Sequence, residues 1–306
     1  MLDTPILFLV FNRPDTTRQV FERIQQIRPR QLFVAADGAR QHKEGEQQKV
    51  DAVRKTITDN IDWDCEVKTL FREQNLGCGK AVSEGITWFF EQVEQGIILE
   101  DDTLPDLSFF HFCEELLDYY KDNERVMHIG GSNFLNSKIE LKTSYYGSNY
   151  SQIWGWATWK NAWNKYRFRH DLTIQKITEI IKHHHFSKKE QIYWKKIYET
   201  YKSVDTWDYQ WFFTIWIHQG ISLISTKNLV KNVGFGEDAT HTTNVQGVIE
   251  RLQIDTQSIE KVAHLDKTEV NRKADMITFQ TYFSEPVSLN RKLCIFLSNI
   301  RQKLKS

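Results

Sequence analysis

The chain has 306 residues, enough for one large domain or two small ones, and its forty Lys and Arg balance its forty Asp and Glu. That balance excludes a protein built on general attraction to nucleic acid. No apolar run reaches the length of a membrane span, and the start, Met1-Leu2-Asp3-Thr4-Pro5, lacks the basic end and long apolar core of a secretory signal. The four cysteines, Cys65, Cys78, Cys113 and Cys294, form no CxxC pair, so buried apolar thiols in a reduced, cytoplasmic setting are expected.

In chain order, residues 5–11 are a continuous apolar run, as in a strand buried on both faces. Asn12-Arg13-Pro14-Asp15 opens a helix with Pro14 in its first turn, and Val20, Ile24 and Ile27 give it one apolar face. Residues 31–35 form a second strand ending in Ala36-Asp37-Gly38, followed by a polar segment with helical spacing at Val50, Val53 and Ile57. Residues 66–71 form a third strand, Asn75-Leu76-Gly77-Cys78-Gly79 a turn, and 80–94 a helix. A fourth strand over 96–99 runs into Glu100-Asp101-Asp102, a helix is predicted over 105–123, and 126–129 is a fifth strand. Strands alternating with helices at this spacing predict an α/β fold with a mostly parallel central sheet flanked by helices.

The second half changes character. Residues 130–163 are rich in Gly, Ser, Asn, Tyr and Trp, and helical patterns return at 174–181 and 188–202. Asp205-Thr206-Trp207-Asp208 opens an apolar helix reaching 217, residues 223–230 read as extended, and a loop containing Gly234-Phe235-Gly236 and His241 follows. No linker is evident, so residues 1–250 are expected to form one domain, with a first half over 1–130, whose strand ends are the expected ligand edge, and a second half over 131–250. Residues 251–306 form a C-terminal extension with a helical tail. Its end interleaves Leu289, Leu293, Phe296 and Ile300 with Arg291, Lys292, Arg301 and Lys303, a basic amphipathic pattern suited either to peripheral membrane contact or to packing on the domain.

Ligands of open α/β sheets bind beyond the carboxyl ends of the strands, where Arg13, Asp37, residues 75–80 and the acidic triplet all fall. Three acids at the end of a buried strand repel one another and are costly to desolvate unless a cation or a set of donors compensates them. Oxygen ligands there suit Mg²⁺ or Mn²⁺ completed by substrate phosphates, although acids also favour the N-terminus of a following helix. The cations Arg13 and Lys80 at helix starts oppose the helix dipole, which favours a nearby anion as their reason. Trp154, Trp156 and Trp159 read as core, and His183-His184-His185 as solvated surface.

Five ordered blocks, residues 5–13, Asp37-Gly38, 75–80, Glu100-Asp101-Asp102 and Trp207-Asp208, resemble a GT-A-fold nucleotide-sugar glycosyltransferase of the N-acetylglucosaminyltransferase I type and its bacterial relatives. The resemblance implies that Arg13 and Asp37 hold the uridine and ribose of a UDP-linked donor and that Lys80 faces the nucleotide. Glu100 and Asp101 would meet the ribose or the donor sugar. Asp102 would ligate Mn²⁺ or Mg²⁺, His241 would be a second ligand or a donor contact, and Asp208 would be the catalytic base, with Asp205 its competitor. The expected activity is metal-dependent, inverting sugar transfer to a glycan or lipid-linked acceptor. The alternatives are a nucleotidyltransferase, against which the lack of a Gly-rich loop after the first strand counts, and a non-catalytic sugar- or nucleotide-binding protein.

Overall fold

A strand with no polar side chain must be covered on both faces, and Ile6–Val10 (β1) is buried along its whole length. The computed structural model describes residues 1–135, 138–234 and 254–283. Beside β1 run Gln31–Ala36 (β2), Glu66–Phe71 (β3) and Gln95–Glu100 (β4), all parallel. Thr103–Pro105 (β5) lies outside the main sheet. Val126–Gly130 (β6), Tyr145–Ser148 (β7), Trp156–Trp159 (β8) and Ile221–Ser225 (β9) complete eight strands in the order β3-β2-β1-β4-β8-β6-β9-β7. β8 runs against both β4 and β6, and β7 against β9, so six strands share one direction. The expected mixed α/β architecture with a mostly parallel sheet is therefore present.

Period-two alternation sends successive side chains of the parallel strands to opposite faces. Ile6, Phe8 and Val10 pack with Pro14–Ile27 (α1), Glu46–Thr58 (α2) and Leu107–Tyr119 (α4). Leu7 and Leu9 pack on the other face with Cys78–Phe90 (α3). That second core extends into an aromatic mass on Lys160–Trp163 (α5), Ile174–His183 (α6), Lys188–Thr200 (α7) and Asp208–Ile217 (α8). Trp156, Trp194, Trp211 and Trp216 are wholly buried there; Trp159 is buried in the first core, as expected for it and Trp156, whereas Trp154, also expected in the core, is half-buried against the first core.

Three readings change. The helix predicted from 105 begins at Leu107, capped by Asp106, whose side chain accepts from Ser108 N at 2.9 Å, because Thr103–Pro105 pairs antiparallel with Val230–Asn232 (β10). The single extended stretch over 223–230 is two strands in different sheets. His184 is buried rather than solvated: Nδ1 lies 2.9 Å from Asn149 Oδ1 and Nε2 3.0 Å from the Trp216 carbonyl. Of the cysteines, Cys113 is buried, Cys65 and Cys78 are half-buried, and Cys294 lies outside the described residues.

The stretch read as an extension contributes residues 254–283 to this body. Ser144 N donates to the Ala263 carbonyl at 3.1 Å, Val270 bridges Gly147, and Arg272–Thr278 (α9) buries Ala274 and Asp275. Asp275 accepts from Ser148 Oγ (2.5 Å), Asn149 N (3.1 Å) and Arg272 Nη1 (2.8 Å), while Arg272 Nη2 reaches buried Glu190 at 2.9 Å. The amphipathic tail lies outside the described residues, and among those described no helix is long and apolar enough to cross a membrane.

Buried His128 on β6 accepts from Trp211 Nε1 at Nδ1 (3.2 Å), leaving Nε2 to donate to the Gln152 carbonyl (3.1 Å), so it sits neutral. Burial lowers its pKa to about 3. Between that value and the ordinary value near 6.5 the unfolded chain binds the extra proton, so stability present above pH 6.5 is lost on acidification. In that window the His128 contribution falls by about 1.4 kcal/mol per pH unit. Urea midpoints measured from pH 7 to pH 4 should fall for this reason, with a shallower slope in His128→Gln. Equal slopes in the two proteins would count against it.

Candidate functional site

The parallel register of β1 and β4, with Leu9 opposite Glu100, brings the residues after both strands together at one sheet edge. Phe11 N donates to Asp101 Oδ2 at 3.0 Å, tying the two strand ends. Arg13, just ahead of α1, donates from Nη1 to Asp102 Oδ2 at 2.7 Å and lies 3.8 Å from Asp101 Oδ1. Burial opposes the Arg13 charge, but Asp101 and Asp102 outweigh it and hold its pKa above the ordinary value. The expectation that the first-turn cation answers an anion is met here by the protein's own carboxylates.

One guanidinium does not neutralise the cluster. Burial, then the charge of Asp102, pushes the Asp101 carboxyl up to about 7 against the pull of Arg13. Glu100 is raised well above the carboxylate range by burial, then by Asp102, Asp101 and Asp208. The charge of Asp208, from the second half of the chain, thus acts on the triplet, and the nearby Cys78 thiol of the first half is held strongly protonated by burial and then by Glu100, Asp205 and Asp208.

Asp208 is the first residue of α8, and its Oδ1 accepts from Tyr209 N at 2.8 Å and from the Thr206 hydroxyl. Its competitor Asp205 is engaged elsewhere. Its two oxygens accept from Cys78 N (2.9 Å) and Gly79 N (2.8 Å), in the first turn of α3. Those are the amides by which a helix N-terminus would take a phosphate, and here a carboxylate occupies them.

Asp37 and Lys80 have partners outside the triplet. The Asp37 carboxylate accepts from Asn75 Nδ2, Leu76 N and Gly77 N at 2.9–3.2 Å, so it builds the turn before α3. Burial raises its pKa, and those bonds only partly offset the rise. Lys80 is exposed, with Nζ 3.6 Å from Glu84. A cluster not legible in the sequence lies on the same rim: buried Glu46 accepts from Asn12 Nδ2 (2.8 Å) and from the backbone N (2.8 Å) and guanidinium of Arg40. Burial opposes its charge, but Arg40 outweighs that and lowers Glu46 to about 2. Only the folded loop over 40–46 places these groups together, and no spacing in the sequence signals it.

Asp102 is braced from β10: Val233 N donates to its carbonyl at 2.8 Å, and a Cβ on residue 234 would lie 2.3 Å from its Oδ2. Gly234 is thus required by close approach. His241 lies outside the described residues. Oxygen donors and excess negative charge fit a hard divalent ion, and Asp102 Oδ1 makes no hydrogen bond among the described residues. No three described His, Cys, Asp or Glu side chains are grouped to hold such an ion alone. Coordination would then need substrate oxygens and water beside Asp102.

No family model matches this chain, and no curated protein matches it. Similar solved structures include HddC from Yersinia pseudotuberculosis, 10% identical over 55% of this chain and 82% of its own, with a TM-score of 0.33. HddC complexed with GMP-PN covers 51% of this chain and 77% of its own, at 11% identity and a TM-score of 0.31. UDP-glucose pyrophosphorylase complexed with UDP-glucose is 12% identical over 48% of this chain and 62% of its own, with a TM-score of 0.26. At such TM-scores none of these likenesses bears on what the chain does.

Proposed function

We propose that this chain is a metal-dependent inverting glycosyltransferase of GT-A type, using a nucleoside diphosphate sugar, UDP-linked, and a glycan or lipid-linked acceptor. The observation that supports the reading is the gathering of Arg13 and the acidic triplet at one strand-end rim, with Asp208, from the second half of the chain, close enough for its charge to act on Glu100. Bound at Asp102, Mn²⁺ or Mg²⁺ would offset charge developing on the diphosphate. Asp208 takes the acceptor hydroxyl proton as the acceptor oxygen bonds to C1. The C1–O bond to the diphosphate breaks on the opposite face, its electron pair leaves with the nucleotide, and the anomeric centre inverts. Glu100 and Asp101 would meet the ribose or the donor sugar. Arg13 lies within reach of the diphosphate side, and Asp37, Lys80 and His241 complete the proposed donor set, the first acting through the 75–77 turn.

Nucleotidyl transfer fits less well. Its nucleophile is a phosphate that is already anionic, so it needs no base and would be repelled by Asp208. Calorimetry with a nucleotide-sugar panel, in Mn²⁺ and in chelator, tests the reading. One uridine-linked sugar should bind in Mn²⁺ only, and Asp102→Ala should abolish that binding while remaining folded. Absence of binding to any nucleotide sugar by folded protein would end the proposal, and release of pyrophosphate from a nucleoside triphosphate would replace it with nucleotidyl transfer.

A further inference from the structure

The α3 helix lacks a cap of its own: Gly77 precedes it with no side chain, and its first turn carries no acid. Its leading amides would ordinarily need water or a ligand. Instead Asp205, 126 residues further on from Gly79, supplies both oxygens to Cys78 N and Gly79 N. The fit leaves no room for a side chain on either glycine. A Cβ at 77 would lie 2.6 Å from Asp205 Oδ2, and one at 79 would lie 2.8 Å from the Thr206 carbonyl and 2.9 Å from Asp205 Oδ1. Gly77 also has φ +82°, the left-handed region that glycine adopts without strain.

The link from Asp205 to Asp208 is stiff. Thr206 N donates to the Val204 carbonyl (3.0 Å), the Thr206 hydroxyl donates to Asp208, and Gln210 Nε2 donates to the Thr206 carbonyl (2.7 Å). Tyr166 Oη donates to the Trp207 carbonyl at 3.1 Å, fixing the residue between them. On the other side, α3 is anchored to the donor rim through Leu76 and Gly77, whose amides bond Asp37. A continuous chain of contacts thus runs from Asp37 through the α3 N-terminus and Asp205 to Asp208.

Resting on the glycosyltransferase reading, we infer that Asp205 is a positioning residue: its two-point bond to the start of α3 sets the distance between Asp208 and the acid triplet. The glycines at 77 and 79 are the other half of that joint. A misplacement of about 1 Å in a catalytic group can cost on the order of a hundredfold in rate, so a joint two residues from the base has leverage that a generic cap lacks.

The test compares wild type with Asp205→Ala, Asp205→Asn and Gly79→Ala. The substrate is whichever UDP-sugar wild type binds, water is the acceptor, and released UDP is the readout. Expected results are a kcat fall of roughly a hundredfold in Asp205→Ala with the donor KM and calorimetric donor affinity unchanged. Asn at 205, which can still accept one of the two bonds, should restore part of the rate. Gly79→Ala, which keeps the carboxylate but crowds the joint, should lower kcat in the same way. Independently of turnover, ¹³C NMR titration of the Asp208 carboxyl, whose charge acts on Glu100, Cys78 and Tyr166, should shift in Gly79→Ala, which removes no charge. Wild-type kcat in folded Asp205→Ala, an unshifted Asp208 titration, or equal losses in kcat and donor affinity would overturn the inference. The two ideas fail separately: full activity in Asp208→Asn removes the base, whereas an inactive Asp208→Asn beside a fully active Asp205→Ala removes only the joint.

Discussion

Asp208→Asn is expected to lower sugar transfer by about 10²- to 10⁴-fold while leaving donor binding and thermal stability close to wild type. The argument rests on what asparagine keeps. Oδ1 of Asp208 accepts from Tyr209 N and from the Thr206 hydroxyl, and an amide oxygen can accept both. Asparagine and aspartate serve comparably at helix starts, so a purely capping residue would tolerate the change. What asparagine lacks is a basic oxygen able to hold the acceptor's proton. The substitution also removes one of the charges that raise Glu100 and Cys78, which should ease the cluster rather than harm it. Steady-state kinetics alongside thermal melts decide the matter, and a fully active Asp208→Asn would return the residue to a capping role.

Arg272→Met is expected to cost about 3–5 kcal/mol of folding stability, the range for removing one partner of a buried ion pair. Arg272 lies between Glu190 and Asp275, whose side chains are both fully buried, and bonds each at 2.8–3.0 Å. Burial opposes its charge, yet Asp275 and Glu190 outweigh that and hold its pKa above the ordinary value. Without it, two carboxylates would share a dry site with only hydroxyl and amide donors: Tyr150 Oη and Ser187 N for Glu190, Ser148 and Asn149 for Asp275. Urea denaturation at pH 7 measures the loss. Because the penalty comes from stranded charge, adding Glu190→Gln and Asp275→Asn should return part of it. A single-variant loss below about 1 kcal/mol, the size of an exposed pair, would show that solvent reaches the site.

What could be read from the residues alone follows burial pattern. β1, β2 and β4 are apolar on both faces and bounded by turns, so their positions and parallel direction were legible, and with them the convergence of Arg13 and the acidic triplet. β7 and β8 were not: Trp156–Trp159 is four residues long in a stretch rich in Gly, Ser and Asn, and its placement between β4 and β6 depends on partners far away in sequence. Asp208 was legible as an acid at the start of a helix. The engagement of Asp205 was not, because its bonds span 126 and 127 residues. The resemblance implies donor contacts for Asp37 and Lys80, and the residues alone did not show that Asp37 also bonds the 75–77 turn or that Lys80 lies 3.6 Å from Glu84. A strand-end position says which edge a residue occupies, while its hydrogen-bond partners are set by loops whose paths only the fold determines.

The reversed strand β8 has a consequence for the order in which the chain can be made. Ala157 sits between Ile97 and Ile129, so β4 acquires its second neighbour only after residues 156–159 leave the ribosome. Until then a nascent chain that has finished β1 to β4 carries an open edge bearing Gly96, Ile97, Ile98 and Leu99, a template for pairing with another nascent copy. The first 130 residues hold five of the eight sheet strands, and β6 joins the other four only through β8. Synthesis that pauses before residue 156 would favour aggregation over folding.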